Sequence, residues 1–194
     1  MWRNACDPGA KKYAPAIQAV EGKLLAGLWD GIPNVAGYCD ACIRVTTAKG
    51  KTALLRVVTY GATTKNSIDV SPEAYKLLNV SENPRNMTWQ FAKCEDTGKL
   101  YFEFQTGAHE DWTSFWIRNA RVPITKVEVK SVRHASFFAL RRGSDGTLND
   151  DKGFGKGAFT LQLTGMDGSI VTESFDWPAT GVAGKTLTGL GNFK

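Results

Sequence analysis

Residues 66–78 read NSIDVSPEAYKLL, and the end of this stretch is a helix start. Ser71 is placed to cap the first turn, Pro72 fits the first helical position, and Glu73 suits the positive end of the helix dipole. The spacing predicts a helix ending near Leu78, ahead of NVSENPRN (79–86), a polar stretch with a proline that reads as a turn or linker. Upstream, YAPAIQAVEGKLLAGLW (13–29) is expected to hold a short helix, while DACIRVTT (40–47) and TALLRVVTY (52–60) read as strands joined at Ala48–Lys51. Downstream the pattern changes to regularly spaced strands: MTWQFAKC (87–94), KLYFEFQ (99–105), WTSFWIRN (112–119), ITKVEVKSV (124–132), SFFALRR (136–142), AFTLQLTG (158–165) and SIVTESFDW (169–177). Turn residues such as GSDG and GMDGS separate them, as in an antiparallel sandwich, and the Gly-rich residues 178–194 read as a packed tail.

The 194 residues suffice for one large or two small domains, and 42% hydrophobic content can build a real core. Twenty glycines, seven prolines and many Thr and Val residues favour a mainly β protein. No apolar run approaches a membrane span, and no basic-then-apolar leader opens the sequence, so neither a membrane partner nor a signal peptide is expected within it. The net charge of +5 sits in the front half: residues 1–94 carry 12 Lys and Arg against 7 Asp and Glu, and residues 95–194 carry 12 against 12. The cations form no dense run with interleaved aromatics, so nucleic acid is not an expected partner.

Cys6, Cys39, Cys42 and Cys94 allow three pairings. Cys39-x-x-Cys42 lacks a second ligand pair at similar spacing, which argues against zinc, and it continues into β-rich sequence rather than the helix a thioredoxin-type site needs. Two disulfides in an exported, extracellular protein fit better.

In DWTSFWIRN (111–119) alternation puts Trp112, Ser114 and Trp116 on one strand face and Thr113, Phe115 and Ile117 on the other. The two indoles would lie about 13 Å apart, the length of two to three sugar units, as a stacking surface for something long and flat. The alternative is that a loop or a neighbouring domain covers them, since Trp is mostly buried. Tyr101 alternates outward with Glu103 and Gln105 on the preceding strand.

Three pieces together, the Cys-x-x-Cys strand with its GK turn, the segment DVSPEAY and the Trp-rich strand ending in IRNARVPI, resemble the expansins, in particular the microbial ones. The resemblance covers nearly the whole chain. It implies a double-psi β-barrel, related to family 45 glycoside hydrolases, followed by an immunoglobulin-like β-sandwich that is a family 63 carbohydrate-binding module. Carried over, residues 1–83 are the barrel, 84–94 a linker and 95–194 the sandwich. It implies cellulose binding and wall loosening without hydrolysis, by a secreted protein expected to be monomeric and to need no cofactor or metal. It also implies Cys6–Cys39 and Cys42–Cys94 pairs, the second tying barrel to sandwich.

Asp69 matches the acid of the family's groove motif, with Thr59 and Tyr60 nearby; Tyr60 stands where bacterial relatives have an Asp, and the strand that supplies groove threonines is expected to be missing or cut short in the N-terminal residues. An inverting glycosidase needs a second carboxylate, and none falls at the end of LLRVVTYGA, so the chain is not expected to be an enzyme. Of the family's Trp-Trp pair, the first position is Asp111 and the second Trp112; Trp116 is an extra indole, Gln105 replaces a platform lysine, and a third aromatic position falls near Asp145. The expected partner is cellulose or a related β-glucan, with acidic wall polymers a possible contact of the basic barrel. Two other readings stay open: a lytic enzyme on polysaccharide using Asp69, and a barwin-like effector whose tryptophans anchor a protein partner.

Overall fold

The structure, a computed structural model, describes Cys6 and residues 24–80, 86–95 and 98–194. It divides into two compact units, Met1–Asp96 with Arg121–Pro123, and Thr97–Ala120 with Ile124–Lys194.

In the first unit β1 (Leu25–Trp29), β2 (Cys42–Thr47), β3 (Thr52–Gly61), β4 (Ile68–Val70) and β5 (Met87–Ala92) form one sheet in the order β4-β1-β3-β2-β5. β1 and β3 run parallel and the other neighbours antiparallel. Alternate residues Ala26 and Leu28, Ile43 and Val45, and Leu55 and Val57 meet in one core, closed by Ala74 and Leu78 of α1 (Pro72–Leu78) and by Val80. The helix starts as expected: the Ser71 hydroxyl accepts from Ala74 N at 3.3 Å and also from Leu25 N at 3.2 Å. It ends at Asn79, whose φ of 51° is left-handed.

Two expectations need correction here, on MTWQFAKC and on the second disulfide. Leu25–Trp29 of the stretch 13–29 is a strand, buried from Leu25 to Leu28 and paired with β3 and β4 on both sides; a short helix in residues 13–23 would lie outside the described residues. MTWQFAKC is neither linker nor sandwich: β5 pairs along its whole length with β2, from Met87 opposite Thr47 to Ala92 opposite Cys42. The disulfides join Cys6 to Cys39 and Cys42 to Cys94. Because Cys94 follows β5 within the first unit, the second bond staples that sheet instead of tying two domains together. The expected shortening of the N-terminal groove strand falls outside the described residues.

The second unit holds β6 (Tyr101–Phe104), β7 (Thr113–Arg118), β8 (Ile124–Ser131), β9 (His134–Ala139), β10 (Arg141–Arg142), β11 (Leu148–Asp150), β12 (Ala158–Gly165), β13 (Ile170–Asp176) and β14 (Thr186–Thr188). Two sheets result, β10-β11-β7-β6-β14 and β13-β12-β8-β9. Phenylalanines fill the space between them: Phe104 lies 5.1 Å from Phe115 and 6.5 Å edge-on from Phe159, which packs 5.1 Å from Phe154. SFFALRR is split, with β9 and β10 in different sheets, and the tail contributes β14 as an edge strand. β9 is also an edge, and Phe137 and Phe138 on it are 39% and 48% exposed.

Candidate functional site

The two candidate regions lie in different units. In the first unit a groove of about 1180 Å³ is lined by Thr59, Tyr60, Asp69, Tyr75 and Trp89, among others. Strand register sets its floor: Thr59 of β3 and Asp69 of β4 both stand opposite Gly27 of β1, one from each side. At the usual strand spacing their Cα atoms are about 10 Å apart on one face, with a residue lacking a side chain between them. Tyr60 and Ile68, opposite Leu28, alternate to the other face, where Tyr60 packs against the core. Asp69 is exposed. Among the described lining residues it is the single carboxylate, and none of them is a Lys or Arg. Trp89 enters the groove only because β5 belongs to this sheet, which the linker expected over residues 84–94 does not allow. The alternation of Met87, Trp89 and Phe91 against Thr88 and Gln90 was the available signal, since the first three pack on the core.

In the second unit β6 and β7 pair with Tyr101 opposite Arg118 and Glu103 opposite Trp116, and Gln105 N donates to Ser114 O at 3.0 Å. Residues directly opposite share a face, so Tyr101, Glu103, Gln105, Ser114, Trp116 and Arg118 belong to the face turned away from the phenylalanine core. Trp112 precedes β7 in a turn closed by paired bonds with His109, and its ring is 6.5 Å from the His109 ring. Trp112, Trp116 and Tyr101 are all half-buried, so none is shut off from solvent. Trp116 is fixed on two sides: its indole N–H donates to Asp145 O at 3.1 Å, and the Arg118 guanidinium lies 5.1 Å from its ring centroid. Ser114 between the indoles is buried.

Charge around this face is mostly internally matched. Arg118 Nε donates to Glu103 Oε2 at 3.0 Å, Asp111 pairs with Arg133, and Glu110 pairs with Lys156 at 3.1 Å. The bond from its own backbone amide, then that from Lys156, hold the Glu110 carboxyl below the usual carboxylate range. Asn119, with φ of 65°, donates through its side chain to Lys99 O at 2.8 Å, which gives the IRN segment a structural role. Among the described residues no group of His, Cys, Asp and Glu could hold a metal ion, and no helix is long and apolar enough to cross a membrane.

No family model matches the chain. Expansin-YoaJ of Bacillus subtilis is 22% identical over 140 residues, 72% of this chain and 59% of that protein. Expansin-like protein 6 of Dictyostelium discoideum is 22% identical over 159 residues, 77% of this chain and 54% of that one. The chain thus spans a little over half the length of these curated relatives. The apo expansin of Clavibacter michiganensis superimposes with a TM-score of 0.74 at 19% identity, over 93% of this chain and 87% of that one. The chain resembles bacterial expansins. Its fold is accordingly a double-psi β-barrel followed by a β-sandwich. A mutant of the Clavibacter expansin, solved in complex with cellohexaose, superimposes with a TM-score of 0.70 at 17% identity, over 89% of this chain and 84% of that one.

Proposed function

We propose that this is a secreted, non-hydrolytic protein that binds cellulose or a related β-glucan and loosens plant cell wall, stacking sugar rings on Trp112, Trp116 and Tyr101 with Gln105 beside them. The observation that carries the reading is that Trp116 and Tyr101 on the outward face of an expansin-like sandwich, and Trp112 in the turn just before β7, are all half-exposed. It is supported by the cellohexaose bound to a structural relative. Two disulfides favour an oxidising, extracellular location. In the barrel, Asp69 and Thr59 on one face would hydrogen-bond sugar hydroxyls. A lone carboxylate among the described groove residues supplies an acid without the partner that activates water, which weighs against the lytic alternative. The mostly neutral groove and the matched charges of the sandwich face weigh against acidic wall polymers as the main ligand.

Ring stacking is worth about 1–3 kcal/mol per contact by analogy with nucleic-acid platforms. The W112A/W116A double variant is therefore expected to lose retention on microcrystalline cellulose while keeping its circular dichroism and melting temperature. Reducing-sugar release from cellulose, xyloglucan and peptidoglycan is expected to stay at background. Full retention by the double variant would end the stacking account, and sugar release abolished by D69N would establish the lytic one.

A further inference from the structure

Glu103 sits at the centre of the outward face. Trp116 is directly opposite it on β7, Thr186 directly opposite on β14, and Tyr101 and Gln105 flank it along its own strand. A carboxylate in such a place is costly unless it has partners. It has one: Oε2 accepts from Arg118 Nε at 3.0 Å, and the Arg118 side chain is 1% exposed while that of Glu103 is 19% exposed. Among the described residues Glu103 Oε1 takes no hydrogen bond. Of this ion pair, the part the face offers to solvent beside the indole is therefore Glu103 Oε1, an open acceptor.

We propose that Glu103 is a specificity-determining residue of the platform, accepting a hydroxyl hydrogen from the sugar stacked on Trp116 and turning away uronate polymers. The inference rests on the stacking reading given above. An ionised carboxylate accepts hydrogen bonds and donates none, so it pairs with the hydroxyls of a neutral glycan. A uronate ring over Trp116 would set a second carboxylate, another pure acceptor, against Glu103, whose Arg118 partner is already engaged and only 1% exposed. The occupant this chemistry selects is a neutral β-glucan over polygalacturonate.

The test uses the full chain and four proteins: the parent, E103Q, T186K and W116A. Each is assayed by depletion onto microcrystalline cellulose and by retardation in gels holding either hydroxyethylcellulose or polygalacturonate, with melting temperatures alongside. E103Q keeps an oxygen for Arg118 but removes the charge paired with it, so its melting temperature should fall below the parent's. It should bind cellulose about tenfold more weakly, as expected for loss of one charge-assisted hydrogen bond, and gain retardation by polygalacturonate relative to hydroxyethylcellulose. T186K places a cation beside Glu103 at an exposed position without touching Arg118, and should shift the same ratio in the same direction even if E103Q folds poorly. W116A should weaken cellulose binding and leave the ratio of the two gels unmoved. A parent-like ratio in both E103Q and T186K, with W116A still impaired, overturns the role of Glu103 alone. Unimpaired W116A overturns the stacking reading and this inference with it.

Discussion

Glu173 offers the sharpest energetic test of how the sandwich holds its outward sheet in place. It lies in β13, is 2% exposed, and accepts from the backbone amides of Leu190 at 2.7 Å and Gly191 at 3.0 Å. The same tail segment exchanges bonds with Leu100, which donates to Gly191 O and accepts from Gly189 N, both at 2.9 Å. Gly189 is required for the approach, since a Cβ there would come within 2.8 Å of the carboxylate. Replacing Glu173 with Ala leaves two backbone amides without their shared buried acceptor. Bonds to a charged group contribute about 1.5–3 kcal/mol each, and the carboxylate's own burial offsets part of that, so the net loss is about 3 kcal/mol. For a unit of this size each kcal/mol moves the midpoint by about 4–8 °C, which places the E173A melting temperature about 15 °C below the parent by calorimetry. Glu173→Gln retains one acceptor oxygen and should fall between. Amide exchange at Leu190 and Gly191 should accelerate in both. Because β14 lies just upstream and lines Tyr101 and Glu103 through Thr188 and Thr186, cellulose retention should weaken too. An E173A protein melting within about 2 °C of the parent would refute the reasoning and assign the tail's attachment to the burial of Phe193 instead.

Each disulfide closes a loop, with separations of 33 and 52 residues, and by chain entropy contributes about 4 kcal/mol; C42S/C94S should lower the guanidinium midpoint of the first unit by a matching amount, and intact mass should rise by four hydrogens on reduction. Ser71→Ala gives up the cap on Ala74 and the bond from Leu25 together, and should destabilise by about 1–2 kcal/mol in the same titration. D69N, at an exposed site, should leave melting and cellulose retention unchanged while abolishing extension of wall strips held under load; undiminished extension would remove Asp69 from the mechanism.

What could be read from the amino acids alone followed the length scale of the physics. Ser71, Pro72 and Glu73 specify a helix start through contacts within a few residues, and the structure has it there. Alternation likewise located the core faces of β6 and β7. The allegiance of β5 was not legible: MTWQFA is a good strand for either sheet, and only its ladder with β2 decides between them. β1 is hard to read for a related reason, since an enclosed strand carries apolar residues on both faces and loses the alternation that marks a strand. At the candidate site alternation puts Trp116 on the outward face, while Trp112 lies in the turn before β7, a placement set by its bridge to His109. The partnership of Glu103 with Arg118 was not legible, because it joins residues fifteen apart through register.

Both cross-links sit in the first unit, while the second relies on interlocked aromatic rings and a captured tail. The two halves are therefore vulnerable to different insults. A thiol-rich medium attacks the half that carries Asp69, leaving the indole-bearing half intact. Such treatment would leave a protein that still clings to its polymer after its groove has come apart, and attachment could then be studied apart from loosening in one unmutated chain.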